Sequence, residues 1–224
     1  MWGRRFRLPG LAPRRTAMVN PGEIHVWRIE LDTVSEDLLP PPDAAEAERA
    51  ARFATAELSR RYLRSHCAVR AILRGEVGCD PRIAVAEGGK PWLPDTPRWR
   101  FNLSHSRGTA LVAVALDVEV GVDVEWIRAH RDWESIAERF FPPSEAAAFL
   151  ASPDGARERE FFRRWTRLEA MWKALGIGLR GVGSEVEGRW TVEELDLGEA
   201  IAAAVAAPVE GLRVAMRGFG DSRE

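Results

Sequence analysis

Lysine is nearly missing from this 224-residue chain: of its 32 basic residues only Lys90 and Lys173 are lysine, and the other 30 are arginine. On a solvated helix surface the two side chains serve about equally well. A lysine that survives such a bias is therefore a candidate for work that needs a compact charge or a labile proton. Cysteine is scarce too. Cys67 and Cys79 form no CxxC pair, which argues against a disulfide framework and suggests a reducing, cytoplasmic compartment. Four scattered histidines with no HExxH argue against a zinc site. No run reaches the roughly 18 apolar residues of a membrane span. The formal net charge of −2 argues against a nucleic-acid partner.

What is present is enough apolar residue, 46%, for a real core, in one large domain or two small associated ones. The first twenty residues differ from the rest. They carry Arg4, Arg5, Arg7, Arg14 and Arg15 with no acid, and Pro9, Gly10 and Pro13 break any helix. There is no continuous apolar segment, so the twin arginine is not read as a secretory signal. A disordered tail over 1–20 is expected, with Met18 as a candidate start; without it the balance is 27 basic against 34 acidic residues.

Along the chain, Glu23 to Leu31 alternates as a strand does, and Ala44 to about Arg74 has the spacing of one helix, with a basic face that includes Arg49 and Arg61. A short strand at Arg82–Val85 leads into a glycine turn with Lys90 at its tip. Trp99–Ser106 reads as a strand ending in a polar loop. Thr109–Leu116 and Val118–Ile127 read as a hairpin turning near Asp117. Two short helices follow, Asp132–Phe141 and one capped by Ser144, and strands are expected around Ser184–Val192 and Gly211–Arg217, with an Ala-rich stretch between. The mixture gives an α+β fold with two lobes.

Two patterns carry chemistry. In the strand after Asp117, Val118, Val120, Val122 and Val124 share one face, so Asp123 and Glu125 share the other, about 6.7 Å apart along the strand. They are either the solvent face of an amphipathic strand or a seat for a hard cation such as Mg²⁺, which takes one or two carboxylates plus substrate phosphates. In the helix Phe161–Gly176, an apolar stripe runs through Phe161, Phe162, Trp165, Leu168 and Trp172, and Gly176 and Gly178 supply its stop. Glu169 and Lys173 are neighbours at i and i+4, as a solvated pair or as part of a site.

Gly89-Lys90-Pro91, Phe101-Asn102-Leu103-Ser104-His105-Ser106, Gly121-Val122-Asp123-Val124-Glu125 and Trp165 through Leu179 occur in that order. In these motifs the chain resembles the 4′-phosphopantetheinyl transferases, in the longer monomeric class typified by the surfactin synthetase activator, over roughly Glu23 to Arg217. The resemblance implies two similar α/β subdomains with antiparallel sheets, related by a pseudo-twofold: 21–117 and 118–217, with a tail at 218–224. It implies Mg²⁺-dependent transfer of phosphopantetheine from coenzyme A to a serine of an apo acyl or peptidyl carrier protein, releasing adenosine 3′,5′-bisphosphate. By position, Asp123, Glu125 and Glu169 are the implied metal carboxylates, and Lys90, Ser104, His105, Arg49 and Arg61 the implied coenzyme A ligands. Lys173 is the implied lysine beside the pyrophosphate, and Glu169, Lys173 and Asp123 the implied catalytic groups. The family often has Lys-Glu where this chain has Leu168-Glu169, which leaves a non-catalytic coenzyme-A-binding paralogue as the alternative. Arg128, Arg131, Arg163 and Arg164 are candidate contacts for an acidic carrier.

Overall fold

The computed structural model describes residues 18–129, 132–178 and 188–220. Most of the tail expected at 1–20, the first part of the strand expected at 184–192, Arg131 and residues 221–224 lie outside the described residues.

Two sheets form the centre. The first has the order β4-β5-β1-β9, built from β1 (Glu23–Glu30), β4 (Trp99–Ser106), β5 (Thr109–Leu116) and β9 (Arg213–Gly218). β1 runs antiparallel to β5 and parallel to β9. The second has the order β6-β8-β7, all antiparallel, from β6 (Gly121–Trp126), β7 (Thr191–Glu194) and β8 (Ile201–Ala207). A two-residue ladder, β2 (Ala84–Val85) with β3 (Pro91–Trp92), holds the glycine turn. The α+β class is as expected, and the sheets are antiparallel except for the parallel β1–β9 pair.

Strand alternation decides what lies between the layers. On β5, Leu111, Ala113 and Ala115 join Ile24 and Val26 in a core shared with Val120, Val122, Val124, Ala203 and Val205 of the second sheet. Ala110, Val112 and Val114 point the other way, onto Ala68, Val69, Ile72 and Leu73 of α2 (Ala56–Val77). Valines 120, 122 and 124 thus fill the shared core, and Asp123 and Glu125 are left on the opposite face, toward α5 (Arg157–Leu175). The order of layers is helix, sheet, sheet, helix.

The chain is tied across the first sheet by a buried network. Glu76 of α2 accepts hydrogen bonds from the Val19 amide at 3.0 Å and the Trp27 indole at 2.9 Å, and its Oε1 lies 2.7 Å from His25 Nδ1. Arg217 of β9 reaches the other ring nitrogen of His25 at 3.2 Å. A carboxylate this deeply buried is tolerated because each oxygen has a partner.

Several expectations are corrected. The helix expected from Ala44 to Arg74 is two: α1 (Ala44–Ala50), closed at its start by an Asp43–Glu46 capping box, and α2, whose cap Thr55 accepts from the Leu58 amide. β5 and β6 are not a hairpin; they belong to different sheets, joined by a corner at Asp117, whose φ is 61°. The hairpin is β4–β5, turning at Arg107 and Gly108, so the expected polar loop at Ser104–Ser106 is strand to its last residue. After α3 (Trp133–Phe140), α4 (Pro143–Leu150) starts on proline at its first position, which presets φ, and Ser144 lies inside it rather than capping it. The Ala-rich stretch is β8, buried on both faces.

Candidate active site

The site lies where α5 crosses β6, and Gly121 allows the crossing. A Cβ there would stand 2.0 Å from the Ala170 carbonyl oxygen and 2.4 Å from the Ala174 amide nitrogen, so the strand meets the helix backbone directly. Ala170 of α5 and Ala204 and Ala206 of β8 complete a small-residue contact. Helix periodicity then puts Glu169 and Lys173, one turn apart, above the polar face of β6. The helix ends on Gly176 at φ 70°, with the Ile177 amide bonded back to the Trp172 carbonyl.

Asp123 is the focus of the cluster. It is 1% exposed. Its Oδ1 accepts from Lys173 Nζ at 2.5 Å and from Ser104 Oγ at 2.8 Å. The same ammonium lies 2.9 Å from Ser104 Oγ and 3.7 Å from Glu169 Oε2. Glu169 and Lys173 are therefore no solvated pair; the closer partner of Lys173 is Asp123. The second oxygen of Asp123, Oδ2, is buried and has no hydrogen-bond partner. Glu125 accepts from Ser106 Oγ at 2.8 Å. Burial, with the Asp123 charge adding to it, raises the Glu125 carboxyl against the opposing Ser106 bond. Burial and then the Asp123 charge push Glu169 up to about 7, although Lys173 pulls the other way.

Among the described residues no three His, Cys, Asp or Glu side chains converge as a ready-formed metal cage. Instead the Lys173 ammonium supplies the compensating positive charge.

The other expected residues divide. Ser104 is inside the cluster. His105 points to the opposite face of β4, toward α2, and desolvation and the Lys173 charge hold its imidazole below the usual range. Lys90 is not among the bonded partners of Asp123. Its ammonium donates to Glu119 Oε2 and to the Ala174 carbonyl, both at 2.5 Å, and burial lowers its pKa while Glu119 opposes the shift. Lys90 thus bonds a carbonyl at the C-terminal end of α5, where a cation is favoured. Arg61 is held bidentate by Asp32 at 2.8 and 2.6 Å, and pairs with Glu57. Arg49 lies on the other helix, its guanidinium 5.5 Å from the Tyr62 ring, beside an open cavity of ≈ 440 Å³ lined also by Ala45, Glu48, Arg52 and Phe53. The carrier candidates among the described residues are engaged as well. Arg163 bonds Glu194 at 2.7 Å, Arg164 bonds Glu160 and Glu145, and Arg128 lies 3.4 Å from Glu125 and over the Phe162 ring.

One pair had no place in the sequence reading. Tyr62 and His66, i and i+4 on α2, have ring centroids 4.2 Å apart. Desolvation, with the charges of His105 and Arg49, holds His66 down at about 4. The i,i+4 spacing was the available signal. Leu168, the departure from the family pattern, packs against the cluster that includes Phe141, Phe149, Phe161 and Phe162, so its apolar character has a structural cause.

Known proteins with the same pattern give the class. The family described as the 4′-phosphopantetheinyl transferase superfamily matches residues 119–204, which run from just before β6 into β8. The 4′-phosphopantetheinyl transferase HetI of Nostoc sp. is 39% identical over 166 residues, 70% of each chain. The 4′-phosphopantetheinyl transferase AcpT of Salmonella typhi is 34% identical over 66% of this chain and 71% of its own length. A 4′-phosphopantetheinyl transferase of Bacillus subtilis is 31% identical over 61% of each. This chain belongs to the 4′-phosphopantetheinyl transferase superfamily and is an enzyme of that class.

Proposed function

We propose that the protein moves the 4′-phosphopantetheine arm of coenzyme A onto a serine hydroxyl of an apo acyl or peptidyl carrier protein, with Mg²⁺ as cofactor, in a cleft between two pseudo-twofold-related lobes. The observation that carries the reading is the cluster of Asp123, Glu125, Glu169 and Lys173 on β6 and α5, in a chain of this family. The donor set suits Mg²⁺: the oxygens are hard, Asp123 Oδ2 is buried without a partner, and burial together with the Asp123 charge holds the Glu125 and Glu169 carboxyls above their ordinary range. Asp123, Glu125 and Glu169 would hold it. Bound there, Mg²⁺ would neutralise the pyrophosphate of coenzyme A and polarise the phosphorus under attack.

The chain's own groups supply the rest. The serine oxygen forms a bond to the β-phosphorus of coenzyme A while the bond from that phosphorus to the bridging oxygen breaks, and adenosine 3′,5′-bisphosphate leaves. Glu169, whose carboxyl burial and the Asp123 charge hold above the ordinary range, would take the serine proton. Lys173 meets the charge that develops on the leaving phosphate and, unlike arginine, has a proton to give up. The test is Asp123→Ala. It should still fold and should lose most of its Mg²⁺-dependent labelling of a carrier; full activity in that variant would remove the basis for the reading.

A further inference from the structure

β6 has two edges. One pairs with β8 through backbone hydrogen bonds, and the other faces β4 without forming a ladder. Its outward amides are met by side chains instead. The Val122 amide donates to Asn102 Oδ1 at 3.0 Å, the Val124 amide to Ser104 Oγ at 3.4 Å and the Trp126 amide to Ser106 Oγ at 3.2 Å. Positions 102, 104 and 106 share one face of β4, so the three acceptors repeat at the period of the three donors. The two sheets are thereby joined in a fixed register by side-chain acceptors.

Each serine in this row does more than Asn102. A hydroxyl has a single proton to donate. With the backbone amides donating to them, Ser104 and Ser106 direct that proton to Asp123 Oδ1 and Glu125 Oε2, both at 2.8 Å. We infer that Ser106, 8% exposed, is a positioning residue: its hydroxyl, itself oriented by the Trp126 amide, fixes the rotamer of Glu125 and leaves that carboxylate's other oxygen for a divalent cation. This rests on the reading of Asp123, Glu125 and Glu169 as cation ligands. Partners that orient a ligating carboxylate typically change metal affinity by about 10–100-fold when removed.

The test is direct Mn²⁺ binding, Mn²⁺ standing in for Mg²⁺, counted by electron paramagnetic resonance of the free ion with coenzyme A present. Ser106→Ala should weaken binding at least tenfold, and Ser106→Thr, which keeps the hydroxyl, should retain most of it. Asn102→Ala, which removes an acceptor from the same seam but touches no carboxylate, should lower the melting temperature and leave Mn²⁺ affinity near wild type. Should Ser106→Ala not fold, Ser106→Thr against Ser106→Val isolates the hydroxyl in two β-branched side chains. If the wild-type protein binds no Mn²⁺, the cation reading fails and this inference with it. If the wild type binds and the variants lacking the hydroxyl bind equally well, or if Asn102→Ala loses as much affinity as Ser106→Ala, the positioning role is overturned while the cation site stands.

Discussion

Lys173→Met tests how the buried carboxylates are compensated. Methionine keeps an unbranched apolar stem that ends where the lysine Cε lies, and removes the ammonium. Asp123, 1% exposed, would then keep only the Ser104 hydroxyl on Oδ1, with Oδ2 still unpartnered. Removing one member of a buried ion pair costs about 3–5 kcal/mol. The Lys173 side chain is 28% exposed, so solvent screening brings the expected loss to roughly 2–3 kcal/mol. Denaturant unfolding at pH 7.5 in EDTA reads this without help from a divalent cation. The m-value should not change, since the surface exposed on unfolding is the same. Carrier labelling by the same variant should fall by about 10²–10³-fold, the usual effect of losing a group that meets transition-state charge. An unfolding free energy within about 0.5 kcal/mol of wild type, the range of an ordinary surface substitution, would mean that Lys173 does not compensate the buried Asp123 charge.

Gly121→Ala should destabilise the protein by about 3 kcal/mol, because the new Cβ meets backbone atoms of α5 that cannot move independently of the helix. The melting temperature should drop by roughly 6–12 °C for a chain of this size, and an unchanged value would mean that α5 does not lie on β6 this closely. His66 gives a pH signature. Its folded pKa of about 4 lies below the unfolded value of 6.5, so the unfolded chain takes up the proton first. The associated stability is present in full above pH 6.5 and is lost as pH falls toward 4. Full burial would make this loss about 3 kcal/mol, and the partial exposure of the ring brings it to roughly 2 kcal/mol. His66→Gln should remove that part of the acid loss in denaturant titrations at pH 7.5 and 4.5; equal losses in both proteins would show that His66 is not buried neutral.

The parts of the fold that were legible in the sequence are those with one period and one buried face. β1 alternates, α5 carries an apolar stripe with a glycine stop, and β6 alternates valine with acid. β8 was not legible, because Ala202–Ala204 and Ala206–Ala207 face the shared core on one side and α5 on the other, and a strand buried on both faces has no alternation to read. β4 was cut short for a related reason. Ser104 and Ser106 read as loop residues, yet they, like Asn102, are polar because they face the amides of β6. The link from β5 to β6 is short, and two alternating strands across it invite a hairpin; only the tertiary arrangement shows that it turns a corner between sheets. In the site, scarcity singled out Lys173, and strand and helix spacing placed Asp123, Glu125 and Glu169 correctly on their elements. The same scarcity singled out Lys90, whose ammonium is taken up by Glu119 and a helix carbonyl. Arg61 looked like a free basic face because its partner, Asp32, lies on a loop 29 residues earlier.

The most direct measurement is intact-mass spectrometry of an apo carrier protein incubated with this enzyme, coenzyme A and Mg²⁺. The carrier serine should gain one phosphopantetheine, and EDTA or Asp123→Ala should abolish the gain. Coenzyme A binding with no mass gain on fatty-acid, polyketide or peptide carriers would contradict the proposed transfer.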